Sequence, residues 1–200
     1  MSIFLSIVRN LKYTIDNDRV LLYNKYMVTI FLTKCDKVHS HDFLFYILEK
    51  EYGIVADESG LTRTPYGKLG LVESDIYFNI SHSGDRVCIA FCKKHTVGVD
   101  IEKIKNTDKT KLSKKYFGVE PQNAVQFYTL WTKAESFIKY KAGSVAAELK
   151  NIVLDGDNVF YCQELQPVQT KTVKYEDYVI SVCCKDTDIK IIDCGIFAAE

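Results

Sequence analysis

The chain has 200 residues, 47% of them hydrophobic and 26% charged, with 26 basic and 26 acidic side chains. That composition excludes collagen-like, low-complexity and disordered classes. Each half of the chain is itself neutral, so no broad nucleic-acid footprint is expected, because a protein that covers a long stretch of phosphate is strongly basic; a site for one small anion remains compatible.

In chain order, 2–8 (SIFLSIV) reads as a strand, and 19–31 is an apolar run that fits helix or strand equally. The opening segment is apolar but short, with no basic region before it and no small-residue cleavage site after it. No stretch approaches the ~20 apolar residues that cross a bilayer. A soluble cytoplasmic protein with no membrane partner is expected. Residues 40–52 predict a helix, with Phe43, Tyr46 and Ile47 at helical spacing and Gly53 as the stop. A turn-rich stretch with Pro65 follows at 60–70.

Three strand-like runs come next, at 75–81, 86–92 and 96–102, and Ser83-Gly84-Asp85 joins the first two as a hairpin. Residues 103–118 then carry six lysines (Lys103, Lys105, Lys109, Lys111, Lys114 and Lys115) against a single acid, Asp108. Pro121 opens a helical pattern that runs to Tyr140, and 152–161, 169–175 and 178–184 look like further strands. The order predicts an α+β fold of two similar halves, 1–100 and 101–200, with a seam near residue 100. No internal sequence repeat supports the division independently.

The seven cysteines are odd in number and irregular in spacing, with no Cys-x-x-Cys pair. The histidines at 39, 41, 82 and 95 complete no zinc pattern. Free thiols in a reducing compartment are expected, with Cys88 and Cys92 as small buried hydrophobes.

Three segments could carry chemistry. In VGVDIE (97–102), strand alternation turns Asp100 and Glu102 to one side. Two such carboxylates are half a site for magnesium, a hard cation that takes oxygen ligands; two solvated acids on an edge strand would look the same. In WTKAESFIKY (131–140), Trp131, Glu135 and Lys139 share a helix face. Glu135 there is a metal ligand or general base beside a phosphate-binding lysine, or else half of a surface ion pair worth about 0.3–0.5 kcal/mol. FNISHSG (78–84) is a Ser- and His-rich hairpin corner able to cradle an anion, although His82 could simply cap the turn. A serine hydrolase would need a nucleophile elbow, and no Gly-x-Ser-x-Gly is present.

In this order, NISHSGDRV, VGVDIE and WTKAESFIK resemble the motifs of the 4′-phosphopantetheinyl transferases, most closely the larger pseudo-dimeric, surfactin-synthetase-activating type. The YGK at 66–68 and KKYFGVE at 114–120 are similar to further family elements, and the likeness covers roughly 64–140. It implies two α+β halves related by a pseudo-two-fold, with coenzyme A in the cleft between them. Asp100, Glu102 and Glu135 would hold magnesium, or manganese. Gly67, Lys68, Ser81, His82 and Lys139 would line the coenzyme A site. Glu135, Lys139 and His82 would be catalytic.

The implied reaction moves the phosphopantetheine arm of coenzyme A to a serine of an acyl or peptidyl carrier protein and releases adenosine 3′,5′-bisphosphate. The enzyme is expected to be a monomer. An acidic carrier would dock on Lys111, Lys114, Lys115, Tyr116 and Phe117, steered by charge and anchored by apolar contact. The chain departs from the family pattern in three places. Ala134 stands where a lysine usually precedes the helical glutamate, and Leu69 replaces the proline after Gly67-Lys68. In the first half the usual phosphate-gripping arginine is missing, leaving Lys34, Lys37, His39 and His41 as the basic side chains there. A non-catalytic module that binds carrier or coenzyme A, and a metal-dependent phosphohydrolase, are the rival readings.

Overall fold

The computed structural model describes residues 13–16, 19–22, 27–93, 95–185 and 188–198; the strand expected at 2–8 lies outside them. The fold is α+β. A short hairpin of β1 (Tyr13–Asp16) and β2 (Arg19–Leu22) precedes β3 (Met27–Lys34), so the described parts of the ambiguous apolar run are strand. Helix α1 spans Ser40–Tyr52 and stops at Gly53, whose φ of 68° is a left-handed conformation that glycine adopts without steric cost. Within the turn-rich stretch, β4 (Leu61–Arg63) and β5 (Leu69–Leu71) form a small hairpin, too short for alternation to reveal.

The hairpin of β6 (Ile76–Ser83) and β7 (Arg86–Lys93) forms as the sequence predicts, followed by β8 (Gly98–Lys103). The lysine-rich stretch holds helix α2 (Thr110–Phe117). Helix α3 (Ala124–Tyr140) begins three residues after Pro121, because the Asn123 side chain accepts from the Gln126 N–H and caps it. A short α4 (Val145–Glu148) follows. The single strand expected at 152–161 is a hairpin, β9 (Ile152–Asp155) and β10 (Asn158–Tyr161), turning at Gly156. Strand β11 (Glu164–Tyr175) starts earlier than expected and carries Pro167 where its register against β10 is irregular; proline, lacking an N–H, is tolerated in such places. Strands β12 (Tyr178–Cys184) and β13 (Asp188–Ile196) complete the chain's described part.

Two sheets carry the architecture, one in the order β13-β3-β7-β6 and the other β8-β12-β11-β10-β9. Strand alternation sorts their faces. Val28, Ile30 and Leu32 of β3, Cys88, Ala90 and Cys92 of β7, Val99 and Ile101 of β8, and Tyr178, Ile180 and Val182 of β12 form one core between the sheets. The opposite face of the first sheet packs Phe31, Phe78, Ile89 and Phe91 on Phe43, Leu44, Ile47 and Leu48 of α1. The opposite face of the second sheet packs on Ala134, Phe137 and Ile138 of α3. The order of layers is therefore helix, sheet, sheet, helix, with hydrophobic burial on three levels.

The sheets also meet edge to edge. Strand β6 is the edge of the first and β8 the edge of the second. Where they approach, β6 presents polar side chains at alternate positions. Asn79 Oδ1 accepts from the Val99 N–H at 2.9 Å, Ser81 Oγ from the Ile101 N–H at 3.4 Å, and Ser83 Oγ from the Lys103 N–H at 3.1 Å. Side chains thus serve the amides that a neighbouring strand would otherwise have paired.

Candidate active site

Asp100 and Glu102 lie on the face of β8 turned away from the inter-sheet core, toward α3. Asp100 is opposite Ser181 in the β8–β12 ladder, and the Ser181 hydroxyl is hydrogen-bonded to Thr132 of α3 at 2.7 Å. Helix α3 reaches this close because residue 98 is glycine: a Cβ there would stand 2.0 Å from the Ser136 carbonyl oxygen and 2.4 Å from the Tyr140 nitrogen. The next turns of α3 then deliver Glu135 and Lys139 over the strand.

Asp100 is 3% exposed. Its Oδ1 accepts from the Lys139 ammonium at 2.7 Å and the Ser81 hydroxyl at 2.9 Å, while Oδ2 is buried with no hydrogen-bond partner. Glu102 Oε2 accepts from the Ser83 hydroxyl at 2.8 Å. So Ser81 and Ser83 each bind a β8 amide and the carboxylate next to it.

The electrostatics follow from burial and crowding. Burial pushes the Asp100 carboxyl above the usual carboxylate range, against the pull of Lys139 and Ser81. Burial also raises Glu102, against the Ser83 hydrogen bond and with the Asp100 charge. Glu135 is pushed up to about 7, first by burial, then by Asp100. Three carboxylates thus influence one another around one ammonium. Among the described residues, no three His, Cys, Asp or Glu side chains are grouped closely enough to hold a metal ion. The donor set itself suits a hard cation: it is all carboxylate oxygen, and one buried oxygen lacks a partner.

His82 is exposed and sits on the other face of β6 from Ser81 and Ser83, on the side of α1. Burial is the largest cause that lowers its pKa, and the charges of Lys37 and Lys139 lower it further. Lys37 is one of the four basic side chains that the sequence left unassigned. Of the other candidates, His39 pairs with Asp42 at 2.9 Å and His41 with Glu58 at 2.5 Å. Spacing gave no sign that the Lys37 charge would act on His82.

Lys68 points inward. Its Nζ donates to Thr96 Oγ1 and the Val97 carbonyl at 2.8 Å and to the Tyr140 carbonyl at 3.1 Å, and burial lowers its pKa to about 8. It ties the β4–β5 loop, which turns at Gly67 with φ 87°, to the start of β8 and the end of α3. Lys133 is buried and holds the β9–β10 turn through Asp157 and the Gly156 carbonyl, while Ala134 is in the α3 core. Lys111, Lys114 and Lys115 are exposed on α2, Lys114 paired with Glu120. Tyr116 and Phe117 are half-buried against the α3 clusters. No described helix is long and apolar enough to cross a membrane.

No family model matches the chain, but individual proteins do. The 4′-phosphopantetheinyl transferase gsp of Aneurinibacillus migulanus is 31% identical over 136 residues, covering 60% of this chain and 56% of that protein. The chain therefore spans little more than half the length of that relative. The 4′-phosphopantetheinyl transferase Sfp of Bacillus subtilis (strain 168) is 26% identical over 159 residues, 71% of this chain and 70% of the relative. A further 4′-phosphopantetheinyl transferase of Bacillus subtilis is 30% identical over 158 residues, 70% of this chain and 69% of the relative. With that breadth of alignment, the chain belongs to the 4′-phosphopantetheinyl transferases.

Proposed function

We propose that the chain transfers the 4′-phosphopantetheine arm of coenzyme A to a serine of an apo acyl or peptidyl carrier protein, releasing adenosine 3′,5′-bisphosphate. What supports the reading is that the charges of Asp100 and Glu102 act on Glu135, and that Asp100 Oδ2 is buried and unpartnered. In this reading the three carboxylates bind magnesium, or manganese. When bound, the ion screens the pyrophosphate charge and fixes its oxygens.

The chain's own residues supply the rest. Glu135 takes the proton of the carrier's serine hydroxyl in this reading. The serine oxygen forms a bond to the phosphorus on the pantetheine side, and the bridging P–O bond breaks toward the bisphosphate. In this reading Lys139 stabilises the charge that grows on the leaving group from the seam, and His82 does so from the other face of the β6 edge, where the Lys37 charge also acts on it. Ser81, which accepts from the Lys139 ammonium, lines the coenzyme A site in this reading. Gly67 and Lys68 shape that site through the loop they hold. In this reading residues 1–100 and 101–200 are the two halves of the family's pseudo-two-fold, with the coenzyme between them and β13 crossing back to the first sheet. The exposed lysines of α2 steer an acidic carrier, while Tyr116 and Phe117 support them from the core side. The protein works as a cytoplasmic monomer.

The test is incubation with coenzyme A, magnesium and apo carrier proteins. Mass spectrometry is expected to find the arm on the carrier serine and one bisphosphate released per transfer. Bisphosphate released with no modified carrier would make the protein a hydrolase and overturn the reading.

A further inference from the structure

The ammonium of Lys139 lies at 2.7 Å from Asp100 Oδ1 and 2.8 Å from Ser81 Oγ, and it makes the one ion pair of Asp100 among the described residues. Its charge also acts on Glu102 and Glu135. Asp100 is therefore held by an amine whose charge also reaches the other two acids, and among the described residues no three such side chains are grouped to hold a metal. We infer that Lys139 and the divalent cation compete for Asp100, so that loading the site requires the ammonium to leave the aspartate. The inference rests on the assignment of Asp100, Glu102 and Glu135 as the cation's ligands.

The physical grounds are charge and reach. A dication on Asp100 Oδ2 and an ammonium on Oδ1 would repel across a single carboxylate in a poorly screened site. Lys139 can yield, because its side chain is 27% exposed and its stem is flexible. Leaving Asp100, it needs another anion, and a bound phosphate group supplies one. Cation and phosphorylated ligand are thus each expected to favour entry of the other, as linkage requires. The cation alone is held weakly for want of that exchange. Lys139 therefore positions the site before any substrate arrives, beyond whatever contact it makes with phosphate afterwards.

Manganese alone is the probe, with free Mn²⁺ read by electron paramagnetic resonance on the full chain without coenzyme A. Lys139→Met and Lys139→Gln are each expected to bind manganese at least about tenfold more tightly than the wild type. Lys139→Arg, which keeps the charge, stays as weak as the wild type. Glutamine retains a polar tip, so it stands in for methionine should that variant not fold. Unchanged or weaker binding in the folded neutral variants overturns the competition while leaving the ligand assignment standing. Tight binding that persists after Asp100→Asn in the Lys139→Met background overturns the ligand assignment, and the competition with it.

Discussion

Gly98 and Ser136 are in such close approach that a Cβ on residue 98 would stand 2.0 Å from the Ser136 carbonyl oxygen. This contact sets the height of α3 above β8, and with it the span between Lys139 and Asp100. Gly98→Ala is expected to lower stability by about 1–3 kcal/mol in urea unfolding, the usual range for forcing an extra carbon into a packed site. Transfer activity falls with it even where the protein is folded. An unchanged unfolding midpoint would contradict the close approach.

Asp100→Asn removes a charge that is buried at 3% exposure and leaves Lys139 free to turn to water. Breaking a buried pair is costly when the remaining charge stays buried, and here the remaining partner is the part-exposed one. The melting temperature is expected to hold or rise, while transfer falls at least about a hundredfold. A large fall in melting temperature would show that the pair is structural.

Glu135 gives the protein a pH signature. Its pKa is about 7 in the fold against a reference of 4.5, so the folded state prefers the protonated acid. That preference is fully present below pH ~4.5 and is lost as the pH rises through about 7. Glu135→Gln keeps a neutral side chain at every pH. Without added metal, its melting temperature is expected to match the wild type near pH 4.5 and to exceed it near pH 7.5. A constant difference across that range would remove the titration of Glu135 as its cause.

Asn79→Ala strips the partner from the Val99 N–H, which lies in the buried seam. A buried amide left without an acceptor costs about 1–3 kcal/mol. Chemical denaturation should return that loss, and hydrogen exchange should speed up at Val99 more than at Ile101. Equal exchange at both amides would show that the Asn79 contact is not specific to its own amide.

Reversing Lys111, Lys114 and Lys115 to glutamate is expected to raise KM for an acidic carrier without changing KM for coenzyme A. All three are exposed, Lys114 pairing with Glu120, so the effect should weaken with salt. Equal changes in both KM values would end the docking idea.

Much of this was legible in the sequence for local reasons. Helix α1, the β6–β7 hairpin and the shared face of Asp100 and Glu102 depend on periodicity and a glycine turn, which a short window contains. So does the helical face shared by Trp131, Glu135 and Lys139. What escaped depends on pairing across distance. Strand β13 interleaves Asp, Lys and Gly with its apolar residues and becomes a strand by joining β3. Lys68 carried the pattern of a ligand-facing lysine, yet three internal acceptors claim it. Asn79, Ser81 and Ser83 read as part of a hairpin corner able to cradle an anion, and their service to the β8 amides shows only once the edge of β8 is placed beside them.

Strand β13 has a consequence for how the protein is made. It lies parallel to β3, and Thr33 donates to the Gly195 carbonyl across 162 residues of sequence. On the ribosome, β3, β6 and β7 emerge long before the strand that covers the outer edge of β3. The first sheet is therefore finished only after the second has been synthesised, a late and non-local closure that slows folding and leaves β3 open to mispairing in the interval.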